Sequence, residues 1–273
     1  MSDIPATALP IGLIGGGKIG EALLAGLLRQ LRAADVIVCE SHPERAAELA
    51  GRYGVRTVTA SDAARQAPTL LLAVKPQDVE AVLASLTGAL TAGSLLVSVV
   101  AGVTTARLER ALPDGVAVVR AMPNTPALVD QAMTAICAGQ HAGPEHMDVA
   151  HALLQAVGRV VRVPEAQLDA VTALSGSGPA YVFYLVEAMT DAGILLGLPR
   201  ALASELITQT LYGAAVMLRE SGEHPVQLRE AVTSPGGTTI SAIRALEDHG
   251  VRAAFLAAIE AARDRSQELG RDC

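Results

Sequence analysis

Uncharged runs rich in Val, Ile and Leu recur along the first half of the chain, separated by segments in which apolar residues return at helical spacing. Ile11-Gly12-Leu13-Ile14, Val36-Ile37-Val38-Cys39 and residues 69–74, 94–100 and 116–119 are runs of this kind. A strand covered on one face alternates apolar and polar residues. These runs do not alternate, which predicts strands buried on both faces of a parallel sheet. Helices are expected between them over residues 18–31, 44–51 and 78–90, and from an N-cap at Thr104 as far as residue 112. A last pair of short strands is expected at residues 133–137 and 159–163, with a helix over 145–156 between them. Strand and helix in alternation predict a doubly wound α/β sheet, whose ligands lie beyond the carboxyl ends of the strands.

Beyond Pro164 the strand signal ends. Residues 166–174, 179–196, 199–219, 226–231, 238–247 and 251–269 read as helices broken by Gly and Pro. The expected organisation is an α/β domain over residues 1–164 followed by an all-α domain over residues 165–273. The helices that open at Pro179 and Pro199 are apolar around most of their circumference, interrupted by isolated polar residues such as Glu187, Glu205 and Gln209. Such a helix needs cover on most sides, more than a domain of this size supplies. An interlocked homodimer through the helical domain is expected.

Inside the first strand–helix unit, Ile14 is followed by Gly15-Gly16-Gly17-Lys18-Ile19-Gly20, with the spacing Gly-x-Gly-x-x-Gly. After an apolar strand and before a helix, this spacing is the fingerprint of a Rossmann-type dinucleotide site. The first glycine permits the tight turn, the second lets the backbone approach a pyrophosphate, and the third packs helix against strand. The helix beginning near Lys18 then points free N–H groups and its positive end at the phosphates. A glycine-rich turn with no ligand is the plainer alternative. Strand ends further along add Lys75, Ala101-Gly102 and Met122-Pro123-Asn124 to the same expected crevice. The residue closing the second strand distinguishes the cofactors, an acid for a free ribose 2'-hydroxyl and a basic or hydroxyl group for a 2'-phosphate. Glu40 lies about 20 residues beyond Gly20, at the acidic position, whereas Ser41 and Arg45 offer the opposite reading. The residues themselves leave NAD and NADP both open.

Composition narrows the classes. Of 273 residues, 51% are hydrophobic and 2% aromatic, with no Trp, as in a folded, aliphatic protein. Mean hydropathy is +0.37, yet no apolar run is expected to approach the roughly 18 residues of a membrane span. The surplus therefore points to a subunit interface, and no membrane partner is expected. A net charge of −7 repels a phosphate backbone, and the scarcity of aromatics removes base-stacking platforms, so nucleic acid is not an expected partner. Cys39, Cys137 and Cys273 show no C-x-x-C spacing and are odd in number, which disfavours a disulfide framework or structural zinc and suits a reduced, cytoplasmic setting. Residues 1–10 lack the basic and apolar regions of a secretory signal. The histidines are dispersed, the run 145–151 has the wrong spacing for H-E-x-x-H, and there is no G-x-S-x-G elbow. No metal site is expected.

One stretch of the helical half repeats the device of the first loop: Thr233-Ser234-Pro235-Gly236-Gly237-Thr238-Thr239. Pro235 fixes the chain direction, the two glycines leave N–H groups unshielded, and hydroxyl residues stand where the next helix begins. That arrangement suits a carboxylate or phosphate, with Ser234 and Thr239 adding side-chain hydrogen bonds. The same residues would also serve as a plain helix cap, and spacing alone does not separate the two. Ser175-Gly176-Ser177-Gly178-Pro179 is a further glycine-serine turn whose plainest role is close helix packing. A nucleotide site and an anion loop without a metal or covalent nucleophile argue for hydride transfer to a small anionic substrate.

Taken in order, Gly15 to Gly20, Ala73-Val74-Lys75-Pro76, Ala101-Gly102-Val103-Thr104, Met122-Pro123-Asn124-Thr125-Pro126, Leu174-Ser175-Gly176-Ser177-Gly178-Pro179-Ala180 and Ser234-Pro235-Gly236-Gly237-Thr238-Thr239 resemble the motifs of pyrroline-5-carboxylate reductases over residues 11–269. The resemblance implies reduction of 1-pyrroline-5-carboxylate to L-proline by NAD(P)H, the last step of proline biosynthesis. It implies that Ser234, Gly236, Gly237 and Thr238 bind the substrate and that Thr239 hydrogen-bonds the imine nitrogen as the catalytic hydroxyl. It places Ile14, Gly15, Gly16, Gly17, Lys18, Ile19, Gly20, Ser41, Ala73, Val74, Lys75, Pro76, Ala101, Gly102 and Asn124 at the cofactor, with NADP expected and NAD left open by Glu40. It further implies an intertwined homodimer, often assembled further into rings. Two departures stand out: Glu40 precedes the family's 2'-phosphate position at Ser41, and Ser61-Asp62 occupy the place of an Asn before a helix. A reductase of another cyclic imine or of a β-hydroxy acid, and a nucleotide-sensing dimer without turnover, are the alternatives.

Overall fold

The computed structural model describes residues 4–272; Cys273 and the first three residues of the N-terminal segment considered above lie outside them. Packing divides the chain into two units, one of residues up to Ser177 together with those from Ala262 onward, the other Gly178–Ala261. The sequence division at Pro164 follows the kind of secondary structure, whereas this one follows contact.

In the first unit β1 (Ile11–Ile14), α1 (Lys18–Leu28), β2 (Val36–Cys39), α2 (Pro43–Tyr53), β3 (Arg56–Thr57), α3 (Ala60–Gln66), β4 (Thr69–Leu72), α4 (Val79–Leu86), β5 (Leu95–Ser98), α5 (Thr105–Arg110), β6 (Ala117–Met122), β7 (Ala132–Ala138), α6 (Pro144–Gln155) and β8 (Gly158–Arg162) follow one another. The strands form one sheet in the order β3-β2-β1-β4-β5-β6-β7-β8. Successive residues of β1 and β4 serve opposite faces. Leu13 and Leu71 join a core with Leu23, Leu24 and Leu27 of α1. Ile14, Leu70 and Leu72 join the other with Val79, Leu83 and Leu86 of α4. This double burial is why the runs read as apolar throughout.

The predicted strands 69–74 and 94–100 end sooner, at Leu72 and Ser98. Ala73 and Val99 make the last rungs, donating to Ile14 O and Leu72 O at 2.8 and 2.9 Å, after which each chain turns away. β3 and α3 carry no prediction, being too short for a periodic signal; α3 starts where Thr59 Oγ1 accepts the Asp62 N–H at 3.1 Å. β7 runs antiparallel to β6, a departure from the parallel order. The link between them contains a single 3-10 stretch, Thr125–Val129, and is too short for a crossover of a dozen or more residues.

Next come the short α7 (Leu168–Val171) and a π-helical turn, Thr172–Gly176. The second unit holds α8 (Gly178–Leu195), α9 (Arg200–Ser221), α10 (Pro225–Ala231), α11 (Thr238–Asp248) and the first half of α12 (Val251–Asp272). α8 and α9 approach closely at Gly193, where an added Cβ would stand 2.8 Å from the Ala203 Cβ. Elsewhere they stay open: Thr190 and Ala203 are the buried residues of α8 and α9, while Phe183, Tyr184 and Tyr212 are mostly exposed (67%, 75% and 66%). α9 corrects one sequence expectation. An 18-residue window within it reaches a mean hydropathy of 1.2, so by length and composition it is apolar enough to cross a membrane. Glu205 and Gln209 break its apolar run, but the weight of Leu, Ile and Ala lifts the mean.

Candidate functional site

Register brings the first loop and its neighbours to one level. Ile14 pairs with Cys39 of β2 on one side and Leu72 of β4 on the other, so the chain leaves all three strands together. The sequence switches sides of β1 between β3 and β4, and such a switch point opens a crevice. A cavity of about 640 Å³ lies there, lined by Ile14, Gly15, Gly16, Gly17, Ser41, Ala73, Val74 and Lys75 of the predicted cofactor set, and by Glu40, His42, Arg45 and Asp78.

The three fingerprint glycines face different constraints. Gly15 has φ +101° and an added Cβ would lie 2.5 Å from Ala73 O; only glycine fits that turn. At Gly20 an added Cβ would run into Gly15 O, since helix and strand touch there. Around Gly17, by contrast, no atom lies within 4 Å of an added Cβ. Gly17 is the N-cap of α1 and no side chain caps that helix start. Open space in front of uncapped amides is what the pyrophosphate of a dinucleotide requires, and these residues fit that group.

Charged groups brace the loop from the β2 side. Glu40 Oε2 accepts the Gly16 N–H at 2.8 Å, and Oε1 accepts the His42 N–H at 2.9 Å. Burial pushes the Glu40 carboxyl up, but these amides and the His42 and Ser41 side chains outweigh it and hold the pKa below the ordinary value. Arg45 Nε donates to Gly16 O at 3.0 Å, and its terminal nitrogens donate to Glu48 at 2.7 Å and to Glu21. Those two carboxylates, Glu48 first, raise the Arg45 pKa. Glu21 also accepts from Arg52 and Tyr53 and is lowered, chiefly by Arg45.

The remaining predicted cofactor residues are not among those that line this cavity. Lys18, Ile19 and Gly20 form the first turn of α1, and Pro76 opens the 3-10 turn Pro76–Asp78. Gly102 lines a separate space of about 320 Å³ with Thr104, Arg120, Asp169 and Gln267, and Ala101 precedes it. Asn124 is committed inside the chain: its Nδ2 donates to Ser175 O at 3.0 Å and its Oδ1 accepts the Met133 N–H at 2.9 Å. His42 and Asp78 are cavity residues that the sequence reading missed. The one signal for His42 was its place just after the acidic position. Burial raises the pKa of the Cys39 thiol, which also lines the cavity, and pushes that of Cys137 up to about 12, so neither is a ready nucleophile.

In the second unit, Ser234-Pro235-Gly236-Gly237 forms a tight turn. Gly237 N–H donates to Ser234 O at 3.1 Å, and Gly236 has φ +67°, the signature of a type II turn with Pro and Gly at its centre. Gly237 is the N-cap of α11 and no side chain caps this start either. Ser234 therefore does not act as the cap that the plainer sequence reading allowed. Ser234 and Thr238 are exposed and Thr239 is half-buried in the helix's first turn, so the uncapped start of α11 carries hydroxyl residues on either side of its glycines, the kind of helix start that suits an anion. Among the described residues no three His, Cys, Asp or Glu are grouped to hold a metal ion.

Comparison with known proteins bears on both units. Residues 165–269 match the family model described as pyrroline-5-carboxylate reductase dimerisation, and residues 10–102 match one described as NADP oxidoreductase, coenzyme F420-dependent. A pyrroline-5-carboxylate reductase of Synechocystis is 47% identical over 97% of this chain and 99% of its own length. The structure of a pyrroline-5-carboxylate reductase from Coxiella burnetii superposes with a TM-score of 0.90 at 36% identity, covering 96% of this chain and 98% of that one. A Plasmodium falciparum pyrroline carboxylate reductase, solved with NADP bound, gives 0.87 at 27% identity over 97% and 100% of the two chains. With both glycine-opened helix starts in place and near-complete coverage at such identity, this chain belongs to the pyrroline-5-carboxylate reductase family.

Proposed function

We propose that the protein reduces 1-pyrroline-5-carboxylate to L-proline with NADPH, the last step of proline biosynthesis. The observation that carries the reading is the pair of uncapped, glycine-opened helix starts, α1 and α11, in a chain 47% identical to such a reductase over nearly its whole length. The reduced dinucleotide supplies the hydride. Residues 1–164 hold it, with the Gly15 to Gly20 turn and the start of α1 around its pyrophosphate and Ser41 and Ala73 to Pro76 beside it. Ala101, Gly102 and Asn124 serve the nicotinamide end, Asn124 by fixing the backbone around it.

Residues 165–273 supply the substrate site and the dimer. Ser234, Gly236, Gly237 and Thr238 bind the substrate carboxylate, and the Thr239 hydroxyl hydrogen-bonds the imine nitrogen. A protonated imine is already electrophilic. Its carbon accepts the hydride, the nitrogen retains its proton as the product amine, and no strong acid from the chain is required, so orientation carries the rate. The family's homo-oligomer extends in this reading to a ring of dimers in the cytoplasm, with α9 buried in the assembly rather than in a membrane. Replacing Thr239→Ala is expected to lower kcat for pyrroline-5-carboxylate by about tenfold or more with NADPH affinity nearly intact. An unchanged kcat would remove Thr239 from the mechanism.

A further inference from the structure

The Glu40 to Arg45 corner of the first cavity determines which dinucleotide it prefers, an inference that rests on the nucleotide site proposed above. The fold places the ribose 2'-oxygen beside the residue that closes β2, where an acid, a hydroxyl, an imidazole and a guanidinium stand together. Arg45 is the obvious partner for a 2'-phosphate, yet each of its three nitrogens is engaged, with Gly16 O, Glu48 and Glu21. Moving it to a phosphate would break two charge-assisted pairs. Glu40 is the obvious partner for a free 2'-hydroxyl, yet both its oxygens already accept backbone N–H groups, from Gly16 and His42.

His42 is differently placed. Its side chain is 84% exposed, and its Nδ1 lies 3.1 Å from Glu40 Oε1 and 3.3 Å from Ser41 Oγ. Among the described residues its Nε2 has no hydrogen-bond partner. An imidazolium donates from both nitrogens; with Nδ1–H held by Glu40, Nε2–H is left for an anion. We infer that His42, with Ser41, takes the 2'-phosphate of NADP, that Glu40 is a positioning residue holding the His42 ring and the Gly16 amide, and that Arg45 braces the glycine loop for either dinucleotide. An acid at this position then coexists with a phosphate, because its charge is turned onto two amides and the imidazole. The other charged groups lining the cavity, Lys75 and Asp78, follow β4 on the opposite side of β1 from β2.

The test is calorimetric binding of NADP⁺ and NAD⁺ to the full-length protein in one mildly acidic buffer. His42→Ala is expected to weaken NADP⁺ by about tenfold and leave NAD⁺ within about twofold, the scale of one charge-assisted hydrogen bond. His42→Arg is expected to restore NADP⁺ binding, and Arg45→Ala to weaken both dinucleotides by a similar factor. The inference is overturned if His42→Ala leaves the ratio of the two affinities unchanged, or if Arg45→Ala or Lys75→Ala abolishes the ratio while His42→Ala does not. A native protein that binds neither dinucleotide overturns the nucleotide site itself, an outcome distinct from binding with an unchanged ratio.

Discussion

Single substitutions separate the roles of the glycines in the first loop. Gly17→Ala adds a methyl group to open space, so the fold is expected to lose less than about 1 kcal/mol, the scale of an N-cap change. Nucleotide affinity is expected to fall at least about tenfold because the pyrophosphate needs that space. Gly20→Ala drives a methyl into Gly15 O and is expected to cost about 1–3 kcal/mol or more, as overpacking does. Urea denaturation and nucleotide titration of the two variants check this; equal stability losses would contradict it. The tight turn at Gly15 and the close packing at Gly20 were legible in the sequence because they depend on neighbours along the chain. The commitments of Arg45 were not, because Glu21 lies 24 positions away and β2 must dock beside β1 before the two meet.

Between elements, Glu165 joins the start of α5 to β6. Its carboxylate accepts the Thr105 N–H at 2.8 Å, the Thr105 hydroxyl at 2.6 Å and Arg120 Nη1 at 3.1 Å. Burial pushes its pKa up, but Thr105 and Arg120 more than offset this and hold it below the ordinary 4.5. A depressed acid stabilises the fold fully above its unfolded value, and that stability is lost as pH falls through the lower folded value. Glu165→Gln is therefore expected to cost about 2 kcal/mol near neutral pH, given the nearly buried Arg120 it leaves behind. The Tm gap from the native protein should close as pH drops below about 4; a gap independent of pH would contradict the role. Strand and helix existence was legible here, since β2 occupies its predicted residues. The reversal of β7 was not, because strand direction depends on the length of a link and not on apolar pattern. Nor was the end of α12, where Ser266 Oγ donates to Asp169 at 2.7 Å and returns the last helix to the first unit.

For the whole molecule, the apolar surplus read from composition reappears as open faces on α8 and α9, in the region matched by the family's dimerisation model. Leu206, half-exposed on α9 (48%), is a test point. Leu206→Asp is expected to shift the oligomer toward monomer at micromolar concentration by sedimentation velocity, since a charge forced into an apolar interface costs several-fold or more in association. An unchanged distribution would place the interface elsewhere. The central claim is that the protein reduces an imino acid with a bound nicotinamide dinucleotide. Its most direct test is turnover of pyrroline-5-carboxylate by the purified protein with NADPH or NADH carrying deuterium at the transferable position. The account predicts proline formed one for one with NADPH consumed, one deuterium on the former imine carbon and none on the carboxylate-bearing carbon, and slower turnover with NADH. Dinucleotide binding without proline formation, or oxidation with other cyclic imines but not with this one, would contradict it.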